Sequence, residues 1–128
     1  MRVIVAGSRD FNDYGLLKSV LDTIENIDSI VCGMAHGVDL LGKKWADENK
    51  IPVSEFPADW NRYKKKAGHI RNWEMAKNAD CLICFWNGES PGSRSMINIA
   101  SQFGLSGIVI DYVTKTYKEI NKKDNTLY

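Results

Sequence analysis

Four short stretches of the chain collect residue types that hold anions. They read "GSRDFND" from Gly7, "GMAHGVD" from Gly33, "PADWNRYKKKAGHIRN" from Pro57 and "NGESPGSRS" from Asn87. Three of them set glycine beside Ser, Arg or His just ahead of a run with helical periodicity. Such a junction leaves backbone N–H groups unpaired at the positive end of a helix dipole, which is the physical basis of phosphate binding. On that ground Gly7, Ser8, Arg9, Gly33, His36, Gly37, Gly92, Ser93 and Arg94 are candidate ligand-binding residues. One such loop alone is better read as a tight turn in which glycine supplies an unusual conformation. The recurrence favours an anion site. None of the loops fits G-x-G-x-x-G or G-x-x-x-x-G-K-[ST], so a standard dinucleotide or ATP-hydrolysing site lacks its motif.

Other side chains near these loops have two readings each. His36, between two glycine-containing steps, suits phosphate binding or acid–base work near neutral pH, against a plain exposed loop histidine. Asp39 is either a carboxylate for a ribose hydroxyl or a cap for the helix "VDLLGKKW". Arg9 can reach over the sheet edge or make a surface ion pair. Trp60 offers a stacking face for a base or a partner subunit, Asn72 a hydrogen bond to a ligand, and Asn87 a weaker one. Trp45 and Trp73 fall at helical stripe positions and read as core, while Trp86 suits either role. Cys81 and Cys84 have a C-x-x-C spacing, but they sit in "DCLICFW", a strand on which residues three apart face opposite ways. No second pair completes a tetrahedral site, so they read as buried small hydrophobes, and no metal or other cofactor is expected.

Alternating apolar runs and amphipathic stretches must position these loops. "RVIVAG", "DSIVCG", "PVSEF", "DCLICFW" and "GIVIDY" read as strands, the first a continuous apolar run buried on both faces. Between them Leu16, Leu17, Val20, Leu21 and Ile24 recur at helical spacing, with Asn12 or Asp13 as N-cap; so do Val38, Leu41 and Trp45, then Ile70, Trp73 and Ala76, then Met96, Ile97, Ala100 and Phe103. "PADWNRYKKKAG" reads as a long loop. About five strands joined by helical crossovers imply a Rossmann-like, doubly wound α/β domain with a parallel sheet. The expected organisation is a single domain over residues 1–112 followed by a polar tail over 113–128, partly ordered at most. In such sheets ligands bind beyond the carboxyl ends of the strands, where the four loops fall.

The chain as a whole narrows the classes. At 128 residues it has room for one ordinary core. Its 17 Lys and Arg balance 16 Asp and Glu, so no global field points to nucleic acid or membrane and any anion site is local. The amino-terminal apolar run is too short for a signal peptide or a membrane span, and three cysteines suit reduced thiols. A cytoplasmic protein with no membrane partner is expected.

"GSRDF", "GMAHGVDLLGKKWA", "FPADW" and "AGHIRNWEMAKNADCLICFWNGESPGS" together resemble the SLOG superfamily of Rossmann-like domains, which includes the cytokinin-activating LOG phosphoribohydrolases and the SMF/DprA proteins. The nearest branch is the YspA/YpsA-related one, frequent in bacterial and phage genomes. The resemblance runs over roughly residues 1–112 and implies a nucleotide or nucleotide-derived ligand. In it "NGESPGSRSMI" stands where LOG enzymes carry P-G-G-x-G-T-x-x-E, and the catalytic glutamate position falls on Met96. A thioether cannot handle a proton or steady an oxocarbenium ion as a carboxylate does. The LOG arginine on the helix before the fourth strand is matched by Arg71, and Glu74, Glu89 or Asp39 are the carboxylates available to replace the missing acid.

Two classes of function follow. In the first, Gly92 and Ser93 hold a phosphate, Arg71 neutralises it, Arg94 adds charge, and the protein acts as a sensor or sequestering module, or as a phosphoribohydrolase-like enzyme with Arg71, Glu74 and Asp39 as catalytic candidates. The absent glutamate favours binding over hydrolysis. In the second, Arg62, Lys64, Lys65, Lys66 and Arg71, with Tyr63 and Trp60, hold single-stranded nucleic acid as in SMF/DprA relatives, against a reading of these lysines as a solvated loop. A non-catalytic interaction scaffold is the third alternative, and LOG-like relatives make a homodimer one expected assembly.

Overall fold

The computed structural model describes residues 1–33 and 36–121; Met34 and Ala35 of the second loop, and residues 122–128 of the tail, lie outside the described residues. Its strands are β1 (Arg2–Gly7), β2 (Ser29–Cys32), β3 (Val53–Glu55), β4 (Cys81–Trp86), β5 (Ser106–Asp111) and β6 (Thr116–Ile120). They form a six-stranded sheet in the order β3-β2-β1-β4-β5-β6. The first five run parallel and β6 is antiparallel to β5. The helices are α1 (Tyr14–Leu21), α2 (Val38–Glu48), α3 (Trp60–Tyr63), α4 (Ala67–Lys77) and α5 (Pro91–Gln102).

Alternation along β1 and β4 divides the interior into two cores. Val3, Val5, Cys81, Ile83 and Phe85 face α1 and α2, packing with Leu17, Leu21, Val38 and Trp45. Ile4, Ala6, Leu82 and Cys84 face α4 and α5, packing with Met75, Met96 and Ile99. The two cysteines of the C-x-x-C spacing therefore lie on opposite faces of β4. Both are buried and unpaired with each other, and burial pushes the Cys84 thiol up to about 12.

Local signals explain the helix ends. Asp13 caps α1 by accepting from the Leu16 N–H at 3.0 Å. Gly37 precedes α2 with φ of 76°, and a Cβ there would lie 2.5 Å from the Ser8 carbonyl oxygen, so the close approach of the first and second loops requires glycine. Asp39 is thus inside the first turn of α2, and the N-cap itself is Gly37.

The structure departs from the sequence reading at three places. The long loop after β3 folds into α3 and one 3-10 turn at Lys64–Lys66, because Asp59 caps it by accepting from the Arg62 N–H at 3.1 Å. A sixth strand forms inside the polar tail; its Lys- and Glu-bearing, mostly exposed residues suit a sheet edge, where charge discourages further pairing. Trp73, read as core, is 42 % exposed and meets Phe103 edge to face at 5.3 Å, while Trp45 is buried and donates to Asp22 at 2.9 Å.

Candidate functional site

The strand order reverses direction between β1 and β4, and there a cleft of about 660 Å³ opens beyond the carboxyl ends of the strands. Doubly wound sheets take their ligands at this position because the two flanking loops part to opposite faces. Gly7 ends β1 at its base, Arg9 and Asp10 come from the following loop, and Asp39 from α2. Trp60 and Lys65 stand at one rim. Gly68, His69, Arg71, Asn72 and Met75 of α4 form one wall, and Asn87 to Met96, by way of Ser90, Gly92, Ser93 and Ser95, form the other.

The loop after β4 is held from several sides. Ser8 donates its N–H to the Phe85 carbonyl at 2.9 Å, and its hydroxyl accepts from the Asn87 N–H at 3.0 Å. The Asn87 side-chain oxygen accepts from the N–H groups of Glu89 at 2.9 Å and Ser90 at 2.8 Å, an Asx turn that leads the chain into α5. Trp86 donates from its indole to the Ser90 carbonyl at 3.0 Å. Pro91 then opens α5, a position where its missing N–H costs nothing. The Arg94 N–H returns to the Ser90 carbonyl at 3.1 Å, so among the described residues the N–H groups of Gly92 and Ser93 have no acceptor in the helix. A Cβ at Gly92 would meet nothing within 4 Å.

Arg71 lies between these loops. Its Nη1 donates to the Gly33 carbonyl at 2.6 Å and its Nε to the Asn72 side-chain oxygen at 2.9 Å. The guanidinium lies so close over Gly33 that a Cβ there would fall 2.4 Å from Nη1. Burial pulls the Arg71 pKa below its ordinary value and the charge of Arg9 adds to this, while Asp39 and Cys32 oppose it. A guanidinium stays protonated under such pressure, so the cleft holds a partly desolvated positive charge beside a second one. Asn72, itself buried, uses its amide nitrogen to bind the Gly92 carbonyl at 3.3 Å and so ties α4 to the α5 turn.

Of the residues singled out in the sequence, Gly7, Arg9, Asp39, Trp60, Arg71, Asn72, Gly92 and Ser93 come together around the cleft. Ser8, Gly33 and Gly37 stand behind it as supports for the loops and for Arg71. His36 is exposed in the turn before α2 and is not among the residues lining the cleft, and Arg94 turns outward over the Trp86 ring at 5.5 Å. Neither Glu74 nor Glu89 lines the cleft, and Met96 is 1 % exposed, packed at its base in the α4–α5 core. His69 and Ser95 also line the cleft and are not among the residues that the sequence singles out, although the cleft-facing stripe Gly68, Arg71, Asn72, Met75 on α4 signals which side of that helix matters. Among the described residues no group of His, Cys, Asp or Glu is arranged to hold a metal ion.

A second cavity, about 710 Å³, lies between α1 and the β5–β6 hairpin and is lined largely by Phe11, Leu16, Val20, Ile108, Ile110 and Tyr117. Its charged lining residues are Asp10, Asp13, Asp111 and Lys115, with no arginine, so it does not offer an anion the paired guanidinium groups that the switch-point cleft does.

Comparison with known proteins places the chain in context. The family model described as "YspA, cpYpsA-related SLOG family" matches residues 1–63. The chain is similar to the Gene 61 protein of Mycobacterium phage D29, with 31 % identity over 114 residues that span 81 % of this chain and 91 % of that protein. Its fold is similar to that of DNA processing protein A (DprA) from Streptococcus pneumoniae, with a TM-score of 0.70 and 20 % identity over 85 % of this chain. The chain spans 50 % of the length of that structure.

Proposed function

The chain belongs to the SLOG superfamily, on its YspA/YpsA-related branch, and we propose that its cleft binds a nucleotide or nucleotide-derived ligand by the phosphate, as a sensor or sequestering module. The observation that carries this reading is Arg71. It is partly desolvated, anchored by the Gly33 carbonyl and by Asn72, and set near Arg9, in a cleft where the Gly92 and Ser93 N–H groups also open. An anionic ligand relieves the repulsion between the two guanidinium groups and supplies the acceptor that the α5 turn lacks. Trp60, 52 % exposed at the rim, gives a base a stacking face, and Asp39 gives a sugar hydroxyl an acceptor.

Hydrolysis of an N-glycosidic bond is the enzymatic extension of this reading. It needs an acid, and the position matching the LOG glutamate is the core side chain Met96; the carboxylates that line the cleft with Arg71 are Asp39 and Asp10, the latter already accepting from the Tyr112 hydroxyl at 2.7 Å. Binding without turnover is therefore the form we favour. A thermal-shift screen with nucleoside monophosphates, nucleotide sugars and cyclic nucleotides, paired with chromatography for released base, tests both forms. A ligand-dependent rise in melting temperature is expected, since a ligand bound only by the folded state stabilises it; a flat screen at millimolar ligand contradicts the reading.

A second reading has its own observation. The 3-10 turn Lys64–Lys66 and Trp60 continue the cleft outward, and Lys65 and Trp60 line both the cleft and this basic rim. Single-stranded nucleic acid fits such a surface, and the fold likeness to a DNA-processing protein accords with it. A homodimer through exposed Trp73 and Phe103 and a cytoplasmic setting, where the three thiols stay reduced, complete the proposal. No helix among the described residues is long and apolar enough to cross a membrane.

A further inference from the structure

We infer that His69, oriented by Ser95, is a further ligand-reading residue of the cleft and presents a fixed Nε2–H donor to the phosphate. The inference rests on the nucleotide-binding reading above. It starts from a chain of hydrogen bonds that begins at Arg71. The Arg71 Nε–H, which can only donate, faces the Asn72 side chain at 2.9 Å, so the atom facing it is the amide oxygen. The Asn72 nitrogen then points the other way, to the Gly92 carbonyl at 3.3 Å and to the Ser95 hydroxyl at 3.5 Å. Two independent partners, a pure donor and a pure acceptor, thus set the amide the same way.

At Ser95 the hydroxyl faces an N–H from Asn72 and the Nδ1 of His69 at 3.1 Å. Its own proton cannot go to Asn72, and among the described residues its other hydrogen-bond partner is His69 Nδ1. The hydroxyl therefore donates to Nδ1, and in the neutral ring the proton resides on Nε2. The alternative, with Nδ1–H donating, leaves the hydroxyl proton without an acceptor among the described residues. Bonds that all donate in one direction from a cation also polarise one another.

The placement gives this donor its target. Ser95 follows Gly92 by three residues on α5, so it stands one turn below the open N–H groups on the same face of the helix. His69 is exposed on the facing wall, with Lys65 and Arg71 lining the same cleft. A terminal phosphate at the α5 turn meets donors from both walls, and the Nε2–H of an imidazole held in this way adds one more.

Nitrogen-15 NMR of the imidazole rings tests this on the intact chain. There are two histidines, and the signal lost in His69→Gln assigns the ring. In the free protein, at a pH where the ring is neutral, the expected result is the Nε2–H tautomer in the wild type and a tautomer mixture in Ser95→Ala. Adding AMP should shift Nε2 together with the Gly92 and Ser93 amides. His69→Ala should weaken AMP about tenfold, as expected for loss of a hydrogen bond to a charged group, with His69→Gln restoring most of the affinity and adenosine affinity unchanged. A wild-type Nδ1–H tautomer, or AMP-induced shifts at Gly92 and Ser93 with none at His69, overturns the inference alone. Absence of shifts anywhere in the cleft with AMP and with inorganic phosphate overturns the nucleotide-binding reading as well.

Discussion

Gly92 carries the residue-scale case because the fold gives it no reason to be glycine. It sits in the first turn of a helix with open space where a Cβ would point. Alanine there should stabilise the helix by about 0.5–1 kcal/mol. Gly92→Ala should thus melt slightly higher than the wild type while binding nucleotide less well, a combination read by calorimetry of the free and liganded protein. Met96 makes the converse point. Buried against Leu82, Cys84 and Ile99, it has no room for a solvated carboxylate. Met96→Glu should cost about 3 kcal/mol or more in denaturant melts and create no hydrolase, because an unpaired charge in that core is left uncompensated. These two residues also mark what the sequence made legible. The glycine-serine loop and Arg71 stand out by type and by resemblance; His69 and Ser95 do not, since their role arises only when α4 and α5 bring residues 26 apart to 3.1 Å.

At the scale of elements, most of the sheet could be read from apolar runs because strands buried on both faces carry a strong, continuous signal. Trp73 was misplaced for a physical reason: a helical stripe shows which residues share a face, and tertiary packing decides which face is covered. The α3 segment was hidden for another, since a single capped turn of four residues has no periodicity to detect. That segment matters for the competing nucleic-acid reading. Replacing Lys64 and Lys66, the two lysines of the turn that are not among the cleft-lining residues, by alanine should weaken any retention of single-stranded oligonucleotides and flatten its salt dependence, while changing AMP affinity only slightly. If AMP binding collapses instead, the basic rim belongs to the nucleotide site itself.

Over the whole molecule, the β5–β6 hairpin replaces what would be another crossover helix. It leaves the α1 side of β5 lightly covered, with Ile108 and Ile110 only partly buried. Charge and turn residues made this tail read as polar, whereas its pairing with β5, from Thr116 opposite Asp111 to Ile120 opposite Gly107, depends on a long-range edge that local pattern does not encode. We expect a chain ended at residue 112 to keep the cleft, since β6 contributes nothing to its lining, but to be less stable and more prone to associate through the bared β5 edge. Light scattering and nucleotide calorimetry on that shortened chain check the two halves separately. The central claim concerns the cleft, and isothermal calorimetry of AMP with the wild type, Arg71→Ala and Arg71→Lys tests it most directly. The expected result is saturable binding by the wild type, weakened at least about tenfold in Arg71→Ala and poorly restored by lysine, whose point charge cannot bond Gly33, Asn72 and a phosphate together. Equal affinity in all three proteins would contradict it.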